Sequence, residues 1–306
     1  MSQAPGELPR TEARSGLNLD TASPLELARM FQQADRDAAA AVAGIEAPLA
    51  EAMELAAEAM NAGGRLILLG AGTSGRLAVL EAAECLPTFG SRQVVGLIAG
   101  GGPALLEAQE GAEDSREGGA RDLRQIEVAA RDFVIGIAAS GRTPYVWGAL
   151  AAARQVGAKI GLLSASPPPA DASPLDVLLL LETGPEVLSG STRLKAGTAT
   201  KCALNALTTG AMARRGKVLG DLMVDVVATN SKLVARAQRI LRSLTELDAA
   251  AAEATLAEAE GELKTAVVMG RLGLSAEAAR ARLSASEGHL RRALESASQG
   301  PEGAEA

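Results

Sequence analysis

RLILLGAGTSGR, Arg65 to Arg76, reads as a strand running into a helix. Leu66, Ile67, Leu68 and Leu69 form an unbroken apolar run, Gly70 and Gly72 interrupt it, and a helix begins near Gly75. The glycines permit tight dihedral angles and close backbone approach. Thr73 and Ser74 bring hydroxyls beside the free N–H groups of a first helical turn, which favours an anion such as phosphate. A plain strand-to-helix turn capped by Thr73 or Ser74 uses the same residues. The third glycine of a dinucleotide-binding loop is missing, and so is the Gly-Lys pair of a P-loop.

The pattern repeats downstream. Apolar strands at Val94–Ile98, Phe133–Ala138, Lys159–Leu163 and Asp176–Leu181 alternate with helical stretches. Continuous apolar strands separated by helices predict an α/β fold, a parallel sheet sandwiched by helices. In such sheets ligands sit beyond the carboxyl ends of the strands. GAGTSG falls at one such end, and Ser140, Gly141, Arg142 and Thr143 fall at another, before a helix that Pro144 suits as first residue. The helix from Gly75 is expected to end near Glu84, before Pro87, and a polar helical region to span Leu105 to Gln125.

Working outward, residues 1–17 read as a loosely ordered polar tail. Asp20 to Pro24 carries turn and cap signals, and helical patterning follows from Leu25 to Phe31 and from Asp37 to Met60. On the other side, SGSTRLKAGTATK (189–201) enters a helix reaching Arg215, and a further helix covers Leu222 to Leu244. Short helices follow near Ala249–Glu258, Glu262–Leu272, Ser275–Leu283 and Glu287–Leu294. The organisation expected is a tail (1–17), an α/β domain with N-terminal helices (18–244), a small C-terminal all-helical domain of the three-helix, UBA-like type (245–298) and a disordered end (299–306).

Composition narrows the chemistry. In 306 residues the hydrophobic fraction is 47% and the aromatic fraction 2%, so the core is built of Ala, Leu and Val. A formal charge of −7 argues against nucleic acid as a partner, because phosphate-backbone binding needs clustered Lys and Arg. Cys85 and Cys202 are isolated, His289 is the sole histidine, and neither a signal peptide nor a membrane-spanning apolar run is visible. These features predict a reduced, cytoplasmic protein with no membrane association and no tightly held transition metal. Trp147 and Tyr145 read as packing residues. Asp225 and Asn230 suit either the core or the site.

Two Ser/Thr loops after parallel strands, with no Walker lysine, resemble the sugar isomerase (SIS) domain, a phosphosugar-binding fold with flavodoxin-like layering. By that resemblance Thr73, Ser74, Ser140 and Thr143 contact phosphate, with Gly75, Gly141 and Arg142 beside them. The likeness extends further. LGAGTSGRL, ECLPTFG, VVGLIAGG, EGAEDSREGG, VIGIAASGRTPYV, SGSTRLKAGTATK and GKVLGDLMVDVVATN together resemble the N-acetylmuramic acid 6-phosphate etherase family, from about Thr11 to about Leu294. EGAEDSREGG and GDLMVDVVATN are the more specific of these. The resemblance implies elimination of D-lactate across C2–C3 of a ring-opened sugar, then addition of water, with no cofactor.

The positions matching the family's two catalytic glutamates are Glu84 and Glu113. Apolar neighbours of Glu84 suggest burial and a neutral acid that protonates departing lactate. Arg116 near Glu113 suggests an ionised base at C2, although Asp114 opposes this. Ser191, Thr192, Arg193 and Lys195 supply hydroxyls and cations for the phosphate or the lactyl carboxylate, or Thr192 caps a helix among solvated charges. Nine residues of helix from Gly75 carry Glu84 roughly 13–14 Å along the axis. Either that helix breaks, or Glu84 serves a sugar bound by a second subunit, which favours a homodimer. Departures are mild: Glu81-Ala82-Ala83-Glu84 stands for the family's DASE, and His289 is displaced and reads as a helix-surface residue. A phosphosugar-sensing regulator without catalysis and an aldose–ketose isomerase are the competing readings.

Overall fold

Residues 9–226 and 231–295 are described in the computed structural model. Asn230 and the expected disordered end, 299–306, lie outside them. Ser23 starts the first helix with a capping box, its side chain accepting from the Glu26 amide while the Glu26 carboxylate accepts from the Ser23 amide. That helix, α1 (Pro24–Ala43), runs without a break, and α2 (Glu46–Asn61) follows. The chain then alternates through β1 (Leu66–Gly70), α3 (Gly72–Phe89), β2 (Val94–Ile98), α4 (Arg116–Gln125), β3 (Phe133–Ile137) and α5 (Pro144–Gln155). It continues through β4 (Lys159–Ser164), β5 (Val177–Leu180) and α6 (Lys195–Arg214).

The five strands pair in parallel in the order β2-β1-β3-β4-β5. This is the flavodoxin-like order, whose direction reverses between β1 and β3. Alternate residues face opposite sides of a strand. Ile67, Leu69, Val134 and Ile160 therefore share a core with Tyr145, Val146 and Leu150 of α5 and Leu123 of α4. On the opposite face α2 lies against β1, β3 and β5. A Cβ on Gly96 would stand 2.5 Å from the Ala78 carbonyl oxygen, so α3 packs directly on β2.

Two compact units result, divided within α3 and α6. The first runs to Ala83 and resumes over Gln93–Gly210; the second holds Glu84–Arg92 and the described residues from Ala211 on. In the second, the hairpin β6 (Val218–Leu219) and β7 (Leu222–Met223) turns at Gly220-Asp221, where a helix from Leu222 was expected. Gly220, at φ +61°, supplies the left-handed turn. Helices α7 (Ser231–Leu244), α8 (Ala249–Glu258), α9 (Leu263–Leu272), α10 (Ala276–Ala285) and α11 (Leu290–Glu295) complete it.

The expected domain boundary at 244 is misplaced. Ala237, Ile240 and Leu241 of α7 are buried in one apolar cluster with Leu256, Val267 and Leu283, so α7 packs with the helices that follow it. The last helix starts at Leu290 rather than Glu287, because Glu287 and Gly288 both take positive φ. His289 therefore sits in a turn, half-buried, with its ring against Gly216. Asp225 is tied within this unit, accepting ion pairs from Lys217 at 2.8 Å and Lys264 at 2.6 Å.

Candidate active site

The two hydroxyl loops follow β1 and β3, the neighbours at the switch point, and they meet in one cleft of about 370 Å³. Helix α3 begins at Gly72, earlier than expected, which places Thr73 and Ser74 in its first turn, where backbone N–H groups lack intrahelical partners. Gly75 is buried behind them. A Cβ there would lie 2.5 Å from Ile98 Cγ1 and 2.6 Å from the Gly70 carbonyl oxygen, so only glycine allows the helix to start this close to the sheet. Thr73, Ser74, Ser140, Arg142 and Thr143 all line the cleft.

The second loop is braced from below. Gly141 has φ +71° and faces the Ser166 carbonyl, which a Cβ would approach to 2.8 Å. Its own carbonyl accepts from Trp147 Nε1 at 2.9 Å, and Ser140 Oγ accepts from the Arg142 amide at 3.2 Å. Trp147 and Tyr145 are packing residues; the Tyr145 hydroxyl donates to Asp122, and burial and then the charge of Asp122 push its pKa up.

Glu113 opens on the same cleft. It stands on a 3₁₀ turn, Ala112–Asp114, and not in the continuous helix expected from Leu105. Gly111, in the left-handed region, precedes the turn. Ser115 ends it, accepting at Oγ from the Gly118 amide at 2.9 Å to cap α4. The expected support from Arg116 is not found: among the described residues no ion pair joins it to Glu113, and Arg116 lines a separate cavity of about 280 Å³ with Arg142 and Arg154. Glu113 and Asp114 are both exposed.

The loop before α6 divides its residues. Thr192 lines the cleft, whereas Ser191 and Arg193 do not. Lys195 does not either: its ammonium lies 3.3 Å from the Pro185 carbonyl and 3.8 Å from Asp37, beside a different cavity. The amides of Lys195 and Ala196 donate to the fully buried Glu186 carboxylate, each at 2.9 Å. A carboxylate thus occupies the N-terminus of α6, in place of the Thr192 cap that was the alternative reading of this loop.

Glu84 differs from expectation as well. Helix α3 is continuous from Gly72 to Phe89 with Pro87 inside it, so it neither breaks nor stops near Glu84. Pro87 lies in the last turn, where its missing donor interrupts the backbone ladder only at the end of the helix, and Thr88 Oγ1 donates to the Glu84 carbonyl at 2.7 Å. The Glu84 side chain is exposed. The buried carboxylate of this helix is Glu81, which accepts from Asn205 and Thr208.

Thr11 and Glu12 are site residues that sequence reasoning missed. The segment expected to be a loose tail is held down. The Thr11 carbonyl accepts from the Gly190 amide at 3.2 Å, the Glu12 carbonyl accepts from Ser189 Oγ at 2.7 Å, and Arg10 pairs with Glu182. Both residues line the cleft, and Thr11 Oγ1 is buried without a hydrogen-bond partner.

Residues 48–154 match the model of the glucokinase regulatory protein N-terminal SIS domain. The chain is 50% identical over 270 residues to an N-acetylmuramic acid 6-phosphate etherase of Aeromonas hydrophila subsp. hydrophila, covering 87% of this chain and 91% of that one. An etherase of the same name from Serratia proteamaculans is 51% identical over 262 residues, 85% of this chain and 88% of the other. Among solved structures, phosphoheptose isomerase from Neisseria gonorrhoeae superposes with a TM-score of 0.46 at 20% identity, covering 61% of this chain and 98% of that one.

Proposed function

The chain belongs to the N-acetylmuramic acid 6-phosphate etherase family, and from that membership we infer how its cleft works. It is a carbon–oxygen lyase acting on N-acetylmuramic acid 6-phosphate, releasing D-lactate and N-acetylglucosamine 6-phosphate. In our reading Thr73, Ser74, Ser140 and Thr143 hold the 6-phosphate, helped by the amides of the first turn of α3. The observation that carries this reading is that Glu113 opens on the same cleft as those four hydroxyls.

The reaction follows from the substrate. With the sugar ring open, the C1 aldehyde acidifies the proton on C2. Glu113 takes that proton, a C2–C3 double bond forms as the C3–O bond breaks, and Glu84 donates a proton to the departing lactate oxygen. Water then returns a hydroxyl to C3 and a proton to C2. Each well-placed acid or base contributes on the order of 10²–10⁴-fold. The sugar occupies a homodimer in which Glu84 of one protomer serves the cleft of the other. A cytoplasmic setting belongs to the same proposal.

Incubation with N-acetylmuramic acid 6-phosphate in deuterated water separates the two roles. Glu84→Gln is expected to lose lactate release while still exchanging the C2 proton, and Glu113→Gln to lose both. Full-rate exchange in Glu113→Gln removes that residue as the base. A wild-type protein that binds the sugar phosphate tightly but frees no lactate overturns the etherase reading.

A further inference from the structure

A lobe of about 300 Å³ adjoins the cleft, and Ala71, Gly72 and Glu113 line both, so Glu113 stands at their junction. The lobe has a distinct chemistry. Ala71, Ala99, Ala104, Ala108 and Ala112 give it methyl-sized apolar walls, and Arg76 is the single cation among its lining residues. Arg76 Nε donates to the Leu105 carbonyl at 3.0 Å, which fixes the guanidinium and leaves its two terminal nitrogens available. No ion pair among the described residues reaches it. Glu110 also lines the lobe, but it is exposed, where solvent screens its charge.

We propose that this lobe is the lactyl subsite, with Arg76 gripping the lactyl carboxylate and the alanines receiving the lactyl methyl. The proposal rests on the etherase reading above. Its geometry follows from connectivity. The base at C2 is Glu113, the ether leaves from C3, and the C3 substituent therefore departs from the neighbourhood of Glu113. In the cleft beyond that junction the one lining cation, Arg142, stands in the loop of Ser140 and Thr143, so a second anion there would compete with the phosphate for it. Lys195 and Arg193 do not line the cleft. A guanidinium suits a carboxylate because its parallel N–H groups can donate two hydrogen bonds at once.

The test compares ligands that differ only in the lactyl group. Arg76→Gln is expected to lower kcat/KM for N-acetylmuramic acid 6-phosphate by roughly ten- to a hundredfold, as loss of a charged hydrogen bond does. Its Kd for N-acetylglucosamine 6-phosphate, which has no lactyl group, should stay within about twofold of wild type on the same reasoning. Arg76→Lys should recover part of the loss. Wild type should also discriminate strongly against a substrate whose lactyl carboxylate is replaced by the amide, and Arg76→Gln should not. Equal loss of affinity for both sugar phosphates makes Arg76 a structural residue and overturns the proposal, as does unchanged kcat/KM. Failure of wild type to release lactate or bind either sugar phosphate is a separate result that removes the etherase reading itself.

Discussion

Asp132 shows how a single buried carboxylate can tie together the starts of two interior strands of a parallel sheet. It accepts from the Arg65 amide at 2.8 Å, from Arg65 Nη2 at 2.7 Å and from the Ala129 amide at 2.9 Å, joining the start of β1 to the turn before β3. Burial alone would raise its pKa, but the Arg65 side chain and the two amides outweigh it and hold the carboxyl below its usual value. A depressed acid contributes stability that is complete above its unfolded pKa, near 4, and is lost as pH falls through the folded value. Asp132→Asn should therefore cost about 3 kcal/mol near neutral pH and flatten the stability profile below about pH 4. Urea titrations at pH 7 and pH 3 check both, and an unaltered acid slope would remove Asp132 from the account. Thr11→Val should act in the opposite sense. Its hydroxyl is buried and unpartnered, so the ligand-free protein should gain about 1 kcal/mol in the same titration. The residue scale is also where sequence reasoning strayed most. Apolar neighbours in sequence suggested that Glu84 is buried, but helical phase decides. Ala78, Glu81, Cys85 and Phe89 form the buried stripe, and Glu84 lies about 100° round the helix from it.

Among elements, the crossing of α4 and α5 positions the proposed base. A Cβ on Gly119 would lie 1.9 Å from the Tyr145 carbonyl oxygen, and one on Gly148 would lie 2.0 Å from the Arg116 carbonyl oxygen. The two backbones are thus in direct contact. Helix α4 leads out of the Glu113 turn through the Ser115 cap, and α5 leads out of the Ser140–Thr143 loop, so this contact sets Glu113 and the hydroxyls of Ser140 and Thr143 on one cleft. Gly119→Ala should destabilise by about 3 kcal/mol. It should also lower kcat/KM roughly ten- to a hundredfold at temperatures where the variant remains folded, because small misplacements at a reacting centre are costly. Normal activity in a folded variant would separate the helix contact from the site. The strands themselves were legible because each is a short, continuous apolar run, and the parallel order follows from the helices between them. The 3₁₀ turn at Ala112–Asp114 and the hairpin at 218–223 were not. Both are decided by a glycine adopting positive φ within a stretch whose composition also suits a helix. The Glu186 cap on α6 was equally hidden, since it joins residues separated by a loop.

For the whole molecule, the question is how Glu84 reaches a substrate. Helix α3 is continuous, and Glu84 lies twelve residues beyond Gly72, about 18 Å along the axis from the end proposed above to hold the phosphate. The alternative in which the helix breaks and folds back is thereby removed. Glu84 is also exposed, while an acid that stays protonated until lactate departs needs a covered, poorly hydrated setting. A second protomer laid over Glu84 answers both difficulties, by covering the carboxyl and by bringing its own cleft within reach. Mixed dimers test this without any knowledge of the interface. Glu84→Gln protomers retain intact phosphate loops, and Ser140→Ala protomers retain an intact acid, so each homodimer has two defective sites. If sites are shared, the heterodimer contains one site with both defects and one with neither. Combining two nearly inactive preparations should then restore lactate release to about half the wild-type rate per heterodimer, on the assumption of independent sites. Activity that stays at the level of the parents would place Glu84 and the cleft it serves in the same chain.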